Sequence, residues 1–139
     1  MRFPSYLQHK PIIGVDDYDK VDGIYANNSD AKALSIGYAQ YNRNEISAKI
    51  WRHTGEKWSR QSEELPLHRV IDLAALIVSL YYDDPTKNHA PHLEPRIQPC
   101  EEYHYVDYME ELREYLAKND EVLKPKLRAL KDLLNGLNI

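Results

Sequence analysis

Several things are scarce in this sequence, and each shortage removes a class of answer. One cysteine among 139 residues, Cys100, cannot close an intrachain disulfide, so a reducing, cytoplasmic setting is expected. The five glycines are not clustered, which excludes a phosphate-cradling loop and a dinucleotide fingerprint, and no GxSxG elbow occurs. A net charge of -4 predicts no broad basic surface and no duplex nucleic acid as partner. The longest apolar run, Val70 to Leu80, is broken by Asp72 and Ser79 and is too short to span a bilayer. The opening MRFPSYLQHK lacks the apolar centre of a signal peptide, so no membrane partner is expected. Phenylalanine is almost missing too, with one against eleven tyrosines. Tyrosine couples apolar area to a hydroxyl that needs a partner, which points to ligand sites or subunit contacts and to a homo-oligomer.

What is present suits one compact domain over 1–139 with its own core. Leu34, Ile36 and Tyr38 alternate with Ser35, Gly37 and Ala39, and Ile46, Ala48 and Ile50 alternate with Ser47, Lys49 and Trp51. The break Asn42-Arg43-Asn44-Glu45 between them predicts a hairpin at about 33–53. Its apolar face should meet the core. The other face sets small residues beside Lys49, Trp51 and His53, a shallow floor on which one of the protein's own helices is the expected cover.

A helix is expected at about 62–82, capped by Ser59 or Ser62, with Glu63 and Glu64 at its positive end and Pro66 in its first turn. From Leu67 to Leu80 nearly every face is apolar, so this helix should be central and covered on most sides. Residues 83–99 hold four of the eight prolines and form an extended loop. Helical spacing returns through Tyr105, Met109, Leu112 and Leu116, and again through Leu123, Leu127, Leu130 and Leu134, predicting a C-terminal helical hairpin at about 101–136. The fold class is therefore α+β, a small antiparallel sheet with a central helix and a helical hairpin.

Two stretches carry a metal-like pattern. Asp17, Asp19, Asp22 and Gly23 suggest a calcium loop, but Asn28 stands where the closing glutamate belongs, so a solvated turn is expected. Asn27, Asn28, Ser29 and Asp30 can either cap a short helix or line a pocket. His89, His92, Cys100 and His104 have ligand types that zinc accepts, but structural sites usually offer more thiolates, so no metal and no cofactor are expected.

The densest chemistry lies between Trp51 and Arg69. A planar base could stack on Trp51 or Trp58, phosphates could be clamped by Arg52, Arg60 and Arg69, and His53, Glu64 and His68 supply further polar contacts. These residues form the candidate ligand site, for a nucleotide-like anion held without turnover. The same set would also make a structural network of Arg stacked on Trp and paired to Glu. Two alternatives stand beside this reading. One is a protein-interaction module using the tyrosine-rich stretch Tyr103 to Tyr115 and the proline loop. The other is a hydrolase or transferase with His68 or Glu64 as general base.

The segment KWSRQSEELPLHRVIDLA, Lys57 to Ala74, resembles a family of short bacterial and phage proteins of unknown function. The likeness extends upstream through HKPIIGVDDYDKVDG, NSDAKALSIG and ISAKIWRHTGE. The resemblance implies a self-contained domain, and its setting suggests a protein that sequesters a defence signalling nucleotide.

Overall fold

The structure is a computed structural model that describes residues 1–4, 9–59, 63–87, 90–98 and 105–139, with backbone alone for 105–108. Its contacts divide into two compact units, Met1–Val78 and Ser79–Ile139.

The first unit is built on a four-stranded antiparallel meander in the order β1-β2-β3-β4. The strands are β1 (Lys10–Val15), β2 (Ala31–Tyr38), β3 (Ile46–Arg52) and β4 (Glu63–Pro66). β2 and β3 are the expected hairpin, in a register that sets Leu34 opposite Ile50, Ile36 opposite Ala48 and Tyr38 opposite Ile46. Between β1 and β2 the chain makes two short 3-10 turns, Tyr18–Lys20 and Gly23–Tyr25. The acidic side chains there are tied up locally: Asp17 to the N-terminal ammonium, Asp19 to Lys32, and Asp22 to the Ser29 hydroxyl. β1 carries an irregularity in its pairing between Pro11 and Ile13.

The sheet's buried face is the reverse of the expected one. Ala33, Ser35, Ala39, Ser47, Lys49 and Trp51 are all buried, whereas Tyr38 is 50% exposed, Ile50 is 38% exposed, and Leu34, Ile36, Ile46 and Ala48 are half-buried. The small residues invite close approach, and what approaches is the start of β1, with His9 just ahead of it, rather than a helix. A Cβ on Gly37 would lie 2.0 Å from the Lys10 carbonyl oxygen, so only glycine admits that backbone. The His9 side chain then lies against Ser35 and Ser47, fully buried with them.

The helix expected at 62–82 is α1 (Leu67–Ser79) and starts later than predicted. Residues 63–66 pair with β3 instead, Lys49 opposite Glu64 and Ser47 opposite Pro66, so Glu63 and Glu64 belong to a strand and not to a helix start. Pro66 ends the strand and the helix begins at once. Ser62 lies outside the described residues, and Ser59 donates its backbone N–H to the Arg52 carbonyl at the close of the β3–β4 turn. α1 also departs from the expected covered helix: Ile71 is 68% exposed, Leu73 and Ile77 are about half exposed, and Ser79 is its buried residue.

The second unit holds a short 3-10 turn at Glu94–Arg96, then α2 (Tyr105–Lys118) and α3 (Asp120–Asn135), which pack together as the expected helical hairpin. Asp120 and Glu121 sit in the first turn of α3, where their charge suits the helix dipole. Arg113 donates to the Asp83 carbonyl at 2.9 Å and holds the loop to α2. Among the described residues no helix is long and apolar enough to cross a membrane, and no group of three His, Cys, Asp or Glu side chains could hold a metal ion. Of the metal-like quartet only His92 is described; His89, Cys100 and His104 lie outside the described residues.

Candidate functional site

Strand alternation decides which candidate residues can meet. Neighbours in a strand point to opposite faces, so Trp51 and Arg52 part company, as do Glu63 and Glu64. Each face gathers its own cluster.

On the closed face, Glu64 is the centre. Its Oε1 accepts from the Ser47 hydroxyl at 2.6 Å, from His9 Nδ1 at 2.9 Å and from the Gln40 backbone N–H at 3.0 Å. A carboxylate only accepts, so His9 Nδ1 donates to Glu64. On its other side His9 Nε2 lies 3.0 Å from the Ser35 hydroxyl, whose oxygen accepts the Trp51 indole N–H at 2.8 Å. Burial pushes the Glu64 carboxyl up, but the bonds from Ser47, His9 and Gln40 outweigh it and hold the group below the ordinary carboxylate range. Lys49 stands opposite Glu64 with its ammonium 4.7 Å from the centroid of the Trp51 ring, and burial lowers its pKa. Glu64 Oε2 is buried with no hydrogen-bond partner among the described residues. An edge-to-face series of rings, His9 on Trp51, Trp51 on Trp58 and Trp58 on His53, closes this side at centroid distances of 5.6, 5.9 and 5.0 Å.

The order Ser35, His9, Glu64 is that of a nucleophile, a base and an orienting carboxylate. It is not a reaction centre. Ser35 is 3% exposed, and its oxygen already engages both His9 and Trp51, so no substrate can reach it without parting the sheet from its cover. The network instead ties His9, β2, β3 and β4 to one another through satisfied polar groups.

On the open face a cavity of about 600 Å³ lies between the 3-10 turns and the ends of β2 and β3. Tyr18, Asp22, Tyr25, Asn28, Ser29 and Asp30 line one side, and Ile50, Arg52 and Glu63 the other. Arg52 donates through Nε and Nη2 to Asp30 and through Nη1 to Glu63 at 2.9 Å. Its hydrogen bond holds the Asp30 carboxyl below the ordinary range, and both carboxylates raise the Arg52 pKa further. Burial, with Asp22 adjacent, pushes the Tyr18 phenol up. Ser29 caps this wall from within, donating to Asp22 and accepting the Ala31 N–H.

The candidate residues therefore scatter. Trp51 and Glu64 are sealed in the closed network, and Arg52 belongs to the open cavity. His53 and Trp58 pair as an isolated bridge across the turn, with His53 Nδ1 accepting the Gly55 N–H. His68 and Arg69 are exposed in the first turn of α1, and Arg60 lies outside the described residues. Sequence reasoning passed over His9, whose neighbours carry no motif, and Tyr18, Asp22 and Tyr25, which read as a solvated turn. Of the two readings left open for Asn28, Ser29 and Asp30, the structure places them in a cavity wall.

Fold and site together define an α+β chain with a closed polar network on one sheet face and an open cavity on the other. The chain belongs to DUF6530, a family of unknown function, matched over residues 1–139. Neither the curated proteins nor the solved structures give a match.

Proposed function

We propose that this chain is a non-enzymatic small-ligand-binding protein whose site is the cavity walled by Tyr18, Asp22, Tyr25, Asp30, Arg52 and Glu63. The observation that carries the reading is the state of Arg52. Both edges of its guanidinium are committed to Asp30 and Glu63, and three carboxylates against one guanidinium leave the lining with a net charge of -2. Such a lining favours a ligand rich in hydrogen-bond donors, uncharged or positively charged, with tyrosine rings to flank a flat group. The ring half of the expected nucleotide-like ligand suits this cavity. The phosphate half does not, because its charge would face Asp22, Asp30 and Glu63. A sequestered signalling nucleotide is disfavoured here for the same reason, and the bacterial or phage setting and cytoplasmic location stay part of the proposal.

Calorimetry against adenosine, AMP and agmatine tests the charge preference. Agmatine or adenosine should bind and AMP should bind at least tenfold more weakly. Asp22→Asn should weaken the bound probe about tenfold, the loss of one hydrogen bond to a charged group. AMP binding more tightly than adenosine would overturn the reading.

A second reading, a protein-interaction module, draws on the exposed apolar side chains of α1 and on Tyr115, 56% exposed on α2. The homo-oligomer is its simplest form. Sedimentation at rising concentration that shows a monomer throughout would remove that form.

A further inference from the structure

The open cavity does not end at its polar wall. Tyr18, Ile50 and Glu63 also line a second hollow of about 570 Å³ that continues along the same sheet face. This hollow is an apolar groove crossing every strand, with Val15 from β1, Ile36 from β2, Ile50 from β3 and Leu65 from β4, and Val70 of α1 at its side. Three interstrand spacings give it a length of about 14 Å. Val15 and Ile50 are substantially exposed there, although the strand pattern marks this as the face that would ordinarily be covered. The groove is thus mostly apolar, with Ser35, Lys49 and Glu63 as its polar members and the Lys49 ammonium turned to the Trp51 ring, and it opens at one end onto a lining of net negative charge.

We propose that the two hollows are one site and that its ligand is a cationic amphiphile, with an ammonium or guanidinium head among Asp22, Asp30 and Glu63 and an alkyl tail along the groove. The proposal rests on the reading of the polar cavity as a ligand site and adds the tail to it. Tyr18 stands at the junction. Its ring borders both hollows, and its phenol lies beside Asp22, where a head group's donors would arrive. Glu63 marks the same boundary from β4, its carboxylate paired with Arg52 while its strand neighbour Leu65 continues the apolar floor. A tail in the groove removes from water the apolar side chains that the sheet leaves uncovered, and the charge at the open end selects the sign of the head. A purely polar ligand would leave the groove empty, and an anionic amphiphile would meet like charge at its head.

The test is binding of hexyl-, octyl- and decylammonium to the full chain below their micelle-forming concentrations, with decyl sulfate as the charge-reversed control. Affinity should rise about fourfold per methylene, the fold-change that corresponds to ~0.8 kcal/mol, and decyl sulfate should bind at least tenfold more weakly than the decyl cation. Val15→Asp, on the exposed part of the groove, should flatten the chain-length dependence while circular dichroism stays unchanged. Asp22→Asn should weaken every cation by a similar factor and leave the chain-length slope intact. Affinity independent of tail length, or decyl sulfate binding as tightly as the cation, would overturn the proposal. Agmatine binding that responds to Asp22→Asn, alongside a flat chain-length series, would sink the tail and leave the polar site standing. If neither agmatine, adenosine nor the alkyl cations bind, both fall together.

Discussion

Replacing Glu64 by glutamine changes one oxygen to an amide nitrogen and is the sharpest probe of the closed network. The carboxylate holds three hydrogen bonds on a single buried oxygen. Hydrogen bonds to a charged acceptor contribute roughly 1 kcal/mol more than those to a neutral one, so weakening all of them costs about 3 kcal/mol. The new NH2 must also occupy the place of Oε2, where no described group accepts from it, and Lys49 loses the charge that faces it. The assay is urea unfolding followed by tryptophan fluorescence, because both tryptophans, Trp51 and Trp58, lie in the first unit and report on it alone. With a denaturant slope of about 1–3 kcal/mol per molar, the midpoint should fall by roughly 1–3 M. Acid gives a second readout. The folded Glu64 carboxyl is held below its ordinary value, so its stabilisation is fully present above about pH 4.3 and is lost as pH falls through the depressed folded value. The gap between wild type and Glu64→Gln should therefore narrow in acid. A loss under about 0.5 kcal/mol at pH 7, or a gap that widens in acid, would refute the account of Glu64 as an ionised hub.

Other substitutions test separate joints of the structure. Gly37→Ala places a Cβ against the Lys10 carbonyl, a backbone atom held in the sheet, and should destabilise the first unit by about 1–3 kcal/mol in the same urea assay. Trp51→Phe removes the indole N–H from Ser35 and leaves part of the buried ring's volume empty, and a loss of about 2–4 kcal/mol, followed through Trp58, is expected. Arg52→Ala should leave the unfolding midpoint nearly unchanged, since its pairs are exposed to solvent. In that variant the Asp30 carboxyl should titrate closer to its ordinary value, as NMR would show, because the bond that lowers it has gone.

The hairpin was legible because Leu34, Ile36 and Tyr38 and then Ile46, Ala48 and Ile50 keep a strict period of two, and that pattern survives any choice of partner. The helical hairpin was legible for the same kind of reason, through its leucine spacing. Which face of the sheet would be covered was not. Apolar patterning names Leu34 and Ile36 as the inner residues, yet His9, far away in sequence, settles on Ser35 and Ser47 and satisfies them. A solitary histidine just ahead of a lysine and a proline gives no local sign of that partnership. The late start of α1 was hidden by Glu63 and Glu64, which suit a helix start better than a strand and are held in the sheet by the β3 pairing that sets Lys49 and Ile50 opposite them. The described candidate residues do not all meet in one place, and strand geometry is the reason. The candidates were chosen for crowding along the chain, and a strand sends crowded neighbours apart. Arg52 faces the cavity because Trp51 faces the core.

The pairing fault in β1 between Pro11 and Ile13 bears on how this chain can meet others. β1 and β4 are the outer strands of the sheet; one is interrupted beside a proline, and the other is four residues long and ends in Pro66. Short, proline-bearing, irregular edges are poor templates for adding another strand. Despite the apolar residues it leaves uncovered, the sheet is thus shielded against growing sideways into fibrils. A partner that meets this sheet is therefore expected to engage its side chains rather than extend the ladder.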